Sequence, residues 1–422
     1  QPVPHPEGRQ LQRPVYARRS AVPGRIQVSN SAGVPFWRDV RKIGTIIQVV
    51  SAVLAIGFGI FLVVTAFRSM TERGIPFTFS FLFQEAGFTV SEGSLLAIED
   101  GRLVWRPFTA RDTYLQAFAT GLYSTLRVTV VGILIATVTG VLLGVLRLAG
   151  NWLVNRLALA YVEVVRNTPL LVQMFFWYFA VLLKLPGGQQ ASTWYGGLIV
   201  SNQGAFLPWL VPTGPTGGFA AVIATALLLG AAAWLIARRL GRQRPVLTGI
   251  GSLLAVLGIG LVLSGLPFEV STPELGRFRI TGGIGLSPEF TAVLLGLVIY
   301  TSAFIAEVIR GAIQSIPRGQ WEGAGSLGLR YFPMMWLIIL PQAARIAIPP
   351  IGNLYLSLMK NTSLAVAVGY PDLFNIYRTI SNQSGRSLEG VIITMIVYLV
   401  LSFIISALLN AYNRRVNLRW SA

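Results

Sequence analysis

Residues 290–345 read FTAVLLGLVIYTSAFIAEVIRGAIQSIPRGQWEGAGSLGLRYFPMMWLIILPQAAR, and the fold turns on the join between the two halves of this stretch. The first half, Phe290 to Val308, is apolar over about the length a helix needs to cross a hydrocarbon core of roughly 30 Å. There, every backbone N–H and C=O must be satisfied within the helix. The second half, 309–345, has the position of a loop between spans but is too apolar and too rich in glycine for a linker. Small residues at Gly323, Ala324, Gly325, Ser326 and Gly328 let another backbone approach closely. A helix of this composition is marginal alone, so the segment predicts a plug that docks on a partner.

The whole chain has the composition that such a reading needs. It has 422 residues, 53% hydrophobic and only 12% charged, with no cysteine and one histidine, His5. A soluble domain carries about twice that share of charge, so lipid must cover the excess apolar surface. The absence of cysteine excludes disulfide scaffolds, thiol nucleophiles and cysteine-ligated clusters, and a single histidine argues against a histidine metal site or triad. The net charge of +18 comes from basic residues scattered between apolar runs. They read as topology markers and not as a nucleic-acid surface.

Eight stretches are long and apolar enough to span. Six are clear: Gly44 to Phe67, Tyr123 to Leu146, Gly218 to Ala237, Val246 to Leu266, Phe290 to Val308 and Leu388 to Ala411. Two are less regular. Pro169 to Leu185 is short, with Thr168 as its expected cap, and Ile346 to Val368 carries Pro349, Pro350, Lys360 and Asn361. Most basic residues fall in 1–43, 147–166, 238–246, 309–345 and 412–422, which places these segments and both termini in the cytoplasm. The cluster Arg238, Arg239, Arg242 and Arg244 reads as a stop-transfer signal, with headgroup recognition as the alternative.

Composition divides the chain into a disordered basic tail (1–43), an extra span (44–67) and an extracytoplasmic segment (69–113). Core spans follow at 114–185 and 288–415, separated by inserted loops and a two-helix hairpin (186–287), and 416–422 form the C-terminus. Phe77, Phe79, Phe81 and Phe83 alternate as in a short strand or an interfacial patch. The chemistry of an enzyme is missing. No GxxxxGK[ST] loop exists, and none of the three lysines, Lys42, Lys184 and Lys360, follows a glycine.

Within the plug, Glu322-Gly323-Ala324 is followed after three residues by Gly328 and after nine more by Ile338-x-Leu340-Pro341. This pattern resembles EAA-x3-G-x9-I-x-LP, the signature of the integral-membrane permeases of binding-protein-dependent ABC importers, with Gly323 in place of the usual alanine. Residues 161–173, 316–322 and 359–364 resemble the polar amino-acid branch of that family. The extra first span, the 69–113 segment and the inserted hairpin are similar to those of long general L-amino-acid and glutamate/glutamine/aspartate/asparagine permeases. The resemblance implies an all-α polytopic protein of about eight transmembrane helices, with a type I importer core of five, in a bacterial inner membrane.

It further implies a transport subunit and not an enzyme. The partners would be a second permease, a cytoplasmic ATPase dimer that holds ATP and Mg, and an extracytoplasmic solute-binding protein that delivers an amino acid. The chain itself would bind no cofactor, metal or nucleic acid. Gly319, Gln320, Glu322, Gly323, Ala324, Gly328, Ile338, Leu340 and Pro341 would form the ATPase-coupling element. Glu322 is expected to pair with a basic residue of the ATPase, to complement a helix dipole, or both. Pro341, Pro349 and Pro350 are expected to break the backbone beyond the plug.

An amino acid needs opposite charges and hydrogen bonds along its path. The polar groups available in core spans are Gln173, Glu307, Lys360, Asn361, Thr362 and Ser363. The Lys-Asn-Thr-Ser run reads as a broken helix that anchors a carboxylate, or as packing glue. Glu307 either lies on the path or pairs with Arg310 or Arg166. A self-sufficient carrier or channel is the competing class, and it would need inverted repeats and ion sites that are not found. The 69–113 segment is expected to contact the binding protein.

Overall fold

The computed structural model describes residues 40–418 except 73, 75–76, 100–101, 188–189, 195–196, 213–216, 241–244, 265–267 and 277–279. Nearly all of the expected tail, Arg242, Arg244 and the last four residues thus lie outside the described residues. The chain divides between Phe77 and Thr78. The first unit holds one long helix, α1 (Val40–Glu72), whose apolar side chains from Ile46 to Val64 are exposed, as lipid-facing residues are. It extends beyond the expected 44–67 at both ends.

The second unit begins with a segment that folds on a small core of its own. A 3₁₀ turn at Ser80–Phe83 takes the place of the strand that was one of the two expectations, with Phe81 buried and Phe79 and Phe83 exposed. The hairpin β1 (Ser94–Glu99) and β2 (Arg102–Pro107) follows. Phe81, Phe88, Leu95 and Phe108 pack on Tyr114, Ala117 and Phe118 of α2 (Tyr114–Leu146). Asp112 pins the end of the segment through a two-pronged bond to Arg106 (2.5 and 2.8 Å), which, with Thr109, holds its carboxyl below the usual range. Thr113 and Gln116 then close a reciprocal capping box that starts α2.

Helix α2 buries one side of small residues spaced by four: Gly132, Ala136, Gly140 and Gly144. A Cβ at Gly140 would lie 2.6 Å from Ile305 Cβ, so the backbones of α2 and α7 (Pro288–Gln314) are in close contact. Without a hydrophobic drive inside lipid, such close packing is what holds helices together.

The segment 147–166, expected on the cytoplasmic side, is helical over α3 (Trp152–Asn167), which Asn151 caps. It presents Val162 and Val165 to Ala303 and Ala306 of α7. The chain bends at Thr168, which the following proline forces out of the helical region (φ −101°, ψ 126°). Thr168 is therefore the end cap of α3, its hydroxyl donating to Val164 O at 2.7 Å, and not the expected N-cap of α4 (Leu170–Phe175). A π-helical turn (176–181) and a 3₁₀ turn (182–184) complete the pass. Contacts climb in register against α7: Tyr161 to Ser302 at 3.1 Å, Met174 on Gly296, Tyr178 to Glu289 at 2.8 Å. Leu170–Lys184 thus remains a short apolar helix, with α3 packed on α7 beside it.

The insert 186–287 contains strands that the all-α expectation left out. β3 (Ser192–Trp194), β4 (Leu198–Ser201) and β5 (Gly204–Leu207) join β10 (Ile284–Leu286) in an antiparallel sheet ordered β10-β5-β4-β3. β6 (Trp209–Pro212) leads into α5 (Gly217–Arg239); α6 (Pro245–Ser264) returns to β7 (Phe268–Ser271), which pairs with β6. β8 (Glu274–Leu275) and β9 (Ile280–Thr281) form a last short ladder.

Beyond α7 come α8 (Arg318–Ser326) and α9 (Tyr331–Met334), a π-helical turn (335–339), then α10 (Leu340–Asn361) and a 3₁₀ run (362–368). α11 (Leu373–Ser384) and α12 (Ser387–Leu418) complete the fold. Tyr331–Val368 is thus one helical rod, and the expected 309–345 loop shrinks to residues 315–330. Among the described residues six helices are long and apolar enough to cross a membrane, and two shorter apolar ones are Leu170–Lys184 and Leu247–Gly260. Their positions match the eight expected spans.

Candidate functional site

Pro317 starts α8 and Gly328 ends it. The N–H groups of Gly328 and Leu329 bond back to Gly325 O and Ala324 O, at 2.9 and 3.3 Å, closing a Schellman cap. Gly328 needs a left-handed backbone there (φ +73°), which is the role of this glycine. Ala324 is buried and Trp321 packs on the main core, so α8 rests on the bundle by one side. Gly319, Glu322, Gly323 and Gly325 face away. A Cβ added at any of the three glycines meets nothing within 4 Å, and Glu322 joins no ion pair among the described residues.

The stem is fixed to the rod above it. Gln342 Nε2 donates to Gln320 Oε1 and to Ile338 O, both at 3.0 Å. Ile339 is fully buried, with Ile338 and Leu340 half-buried beside it. The prolines do not break this connection as expected. Pro341 lies in the first turn of α10 directly after the π-helical turn, where i→i−4 bonding is already relaxed, and Pro349 and Pro350 ride inside the helix. The plug is therefore carried on a continuous lever.

The expected path residues separate into two kinds. Gln173 donates from Nε2 to Val165 O (2.9 Å) and Thr168 O (3.0 Å), bracing the α3–α4 bend. Its Oε1 is buried without a partner. Glu307 is held by Arg310 (2.5 Å) and by Arg147, the end cap of α2. Arg147 is a partner the sequence reading missed, while Arg166 lies 5.2 Å from the Phe304 ring instead. The Glu307 carboxylate and the Gln173 Nε2 are thus occupied by the protein's own groups.

The run from Lys360 to Ser363 stays helical, narrowing from α to 3₁₀ without a break. Thr362 is buried, its hydroxyl donating to Met359 O in the turn before it and lying 3.5 Å from the Tyr398 hydroxyl of α12. Lys360 is exposed, free of ion pairs among the described residues, and lines a cleft of about 480 Å³ with Ser363, Phe374, Thr394, Tyr398 and Ser402. No acidic side chain lines it. Asn361 lies beside this cleft in sequence but is not among its lining residues.

Behind the cleft Tyr398 donates to Asp372 at 3.3 Å. Asp372 lies between the last two spans and caps α11 by accepting from Asn375 N at 2.9 Å. Burial pushes its carboxyl from 3.8 up to about 7, against the pull of these hydrogen bonds. The folded chain therefore holds a proton that the unfolded chain releases, and Asp372 contributes less stability as pH rises from about 4 to 7. Asp372→Asn keeps a capping acceptor and does not titrate. Its unfolding midpoint relative to the unmodified chain is expected to rise between pH 5 and 7 and level off above. Thermal unfolding in detergent at several pH values checks this, and a constant difference contradicts it.

Residues 129–418 match the family described as binding-protein-dependent transport system inner membrane component. The chain is 38% identical over 409 residues to the putative amino-acid ABC transporter permease protein YhdX of Escherichia coli (strain K12), covering 94% of this chain and 98% of that protein. It is 37% identical to the general L-amino acid transport system permease protein AapQ of Rhizobium johnstonii, covering 88% and 91%. The glutamate/glutamine/aspartate/asparagine transport system permease protein BztB of Rhodobacter capsulatus is 34% identical, with 90% and 95% covered.

Proposed function

The chain belongs to the family of binding-protein-dependent transport system inner membrane components, and on that premise we propose that it is the permease subunit of an ATP-driven amino-acid importer. It is a multi-pass transport subunit. ATP hydrolysis is supplied by a cytoplasmic ATPase dimer, the second half of the pathway by a homologous permease, and substrate by an extracytoplasmic binding protein. Both termini lie in the cytoplasm, and the membrane is the bacterial inner membrane.

The observation that carries this reading is α8. Its outward side of Gly319, Glu322 and Gly323 has no partner among the described residues, and Gln320 joins it through Gln342 to a rod that crosses the bilayer. Such an element transmits displacement. ATP with Mg closes the ATPase dimer, α8 moves with the groove that holds it, and the rod carries the motion to the spans.

For the substrate path, Lys360 and Ser363 offer an ammonium and a hydroxyl to a carboxylate, while Phe374, Met395 and Leu399 accept an apolar side chain. Gln173 and Glu307 brace the helices around the path. The test is ATP-dependent uptake of L-amino acids in vesicles that contain the assembled transporter. Lys360→Met is expected to raise the KM for uptake about tenfold, the loss of one charge-assisted hydrogen bond, with Lys360→Arg restoring most of it. A KM unchanged in Lys360→Met removes this residue from the path. Absence of ATP-dependent uptake by the unmodified assembly overturns the importer reading itself.

A further inference from the structure

The ribbon of β6 and β7 is largely apolar: Leu210 and Val270 share one face, and Trp209 and Val211 share the other with Ser271 and Glu269. Trp209, Leu210 and Val211 are 56, 56 and 40% exposed and Val270 is 64% exposed. Leu210 stands opposite Val270 and Trp209 opposite Ser271, so no arrangement of the two strands hides these side chains. Neither strand pairs with any other among the described residues, which leaves two open edges. In water a two-stranded ribbon of this kind is marginal and prone to stick to other surfaces.

Chain reach decides what covers it. Pro212 is five residues from Gly217, where α5 begins, and Phe268 is four from Ser264, where α6 ends. At about 3.5 Å per residue the ribbon stays within roughly 18 Å of the ends of the apolar hairpin. The hairpin is closed on itself by Gly230 and Gly249, whose added Cβ atoms would meet Leu253 and Trp234 at 2.9 and 2.8 Å. Its outer surface, with Leu227, Leu228, Ile236, Leu254 and Ile259, is exposed. The short joins keep the ribbon close to the ends of this apolar surface.

The open edges exclude the hydrocarbon interior, where unpaired backbone groups are not tolerated. Tryptophan and aliphatic side chains next to hydrated backbone match the headgroup–acyl boundary. We infer that the β6–β7 ribbon is an interfacial anchor, with Trp209, Leu210, Val211 and Val270 seated in the leaflet on that side of the membrane. It sets the depth of the α5–α6 hairpin, which has little else to hold it.

The chain contains no cysteine, so single labels are clean. Leu210→Cys, Val270→Cys and, as a control on the exposed β8, Glu274→Cys are each labelled with a polarity-sensitive fluorophore. The assembled transporter is reconstituted in vesicles of phosphatidylethanolamine and phosphatidylglycerol. Labels at 210 and 270 are expected to emit at shorter wavelength and to be quenched several-fold more by lipids carrying a nitroxide near the top of the acyl chain than by iodide. The label at 274 follows the opposite order. Quenching at 210 and 270 like that at 274 overturns the anchor. So does protection of both from iodide only after the binding protein is added, which assigns the ribbon to a protein partner.

Discussion

A chain carrying Glu322→Lys is expected to purify without the proposed ATPase partner, which is expected to accompany the unmodified protein, while its own unfolding midpoint stays the same. The side chain is exposed on α8 and makes no ion pair within the described chain, so reversing its charge costs the fold less than about 0.5 kcal/mol. Across an interface the same reversal turns an attraction into a like-charge contact worth about 2–5 kcal/mol, or roughly 30- to 4,000-fold in affinity. Gly323→Trp tests the same face by bulk. A Cβ there meets nothing within 4 Å, so the chain tolerates the ring and only a docked partner is displaced. Gly328→Ala is less informative, because the left-handed cap at this position opposes any side chain by about 1 kcal/mol whether or not a partner binds. Retention of the ATPase by both Glu322→Lys and Gly323→Trp shows that α8 is not the contact.

The largest loss of stability is expected where α2 meets α7. Gly140→Leu places Cβ 2.6 Å from Ile305 Cβ, and Gly144→Leu places it 2.8 Å from Ile309 Cβ and 2.9 Å from the carbonyl of Ala306. A backbone carbonyl cannot rotate away, so the helices must part. Each substitution is expected to cost about 1–3 kcal/mol or more, and the two together less than their sum, since the first separation makes room for the second. Gly150→Leu, where nothing lies within 4 Å, is the matched control. Unfolding midpoints in detergent decide the matter, and equal midpoints for Gly144→Leu and Gly150→Leu contradict the close packing.

The glycine spacing was present in the sequence as Gly132, Ala136, Gly140 and Gly144, every fourth residue, although only the structure shows which helix it faces. Helix α3 was harder to read. Asn155, Arg156, Glu163 and Arg166 lower its hydropathy to that of a loop, while Ala158, Val162 and Val165 form a buried stripe on a helix that never needs to be apolar all round. The strands of the insert are two to four residues long, too short for alternation to rise above chance. At 341–350, Pro341, Pro349 and Pro350 looked like breaks, and the π-helical turn that absorbs Pro341 has no signal in composition.

By itself the sequence determined that the chain spans a membrane, where its eight apolar stretches lie, and that a glycine-rich plug lies between two of them. Those properties are local sums over about 20 residues, because lipid imposes the same demand at every position of a span. Only the tertiary structure decided which polar groups remain available for function. Glu307 is taken by Arg147, 160 residues away, and Gln173 by the carbonyls of a bend, whereas Lys360 stands open in its cleft. Partnering depends on which distant groups the packing brings within hydrogen-bond reach, and no count along the chain contains that information.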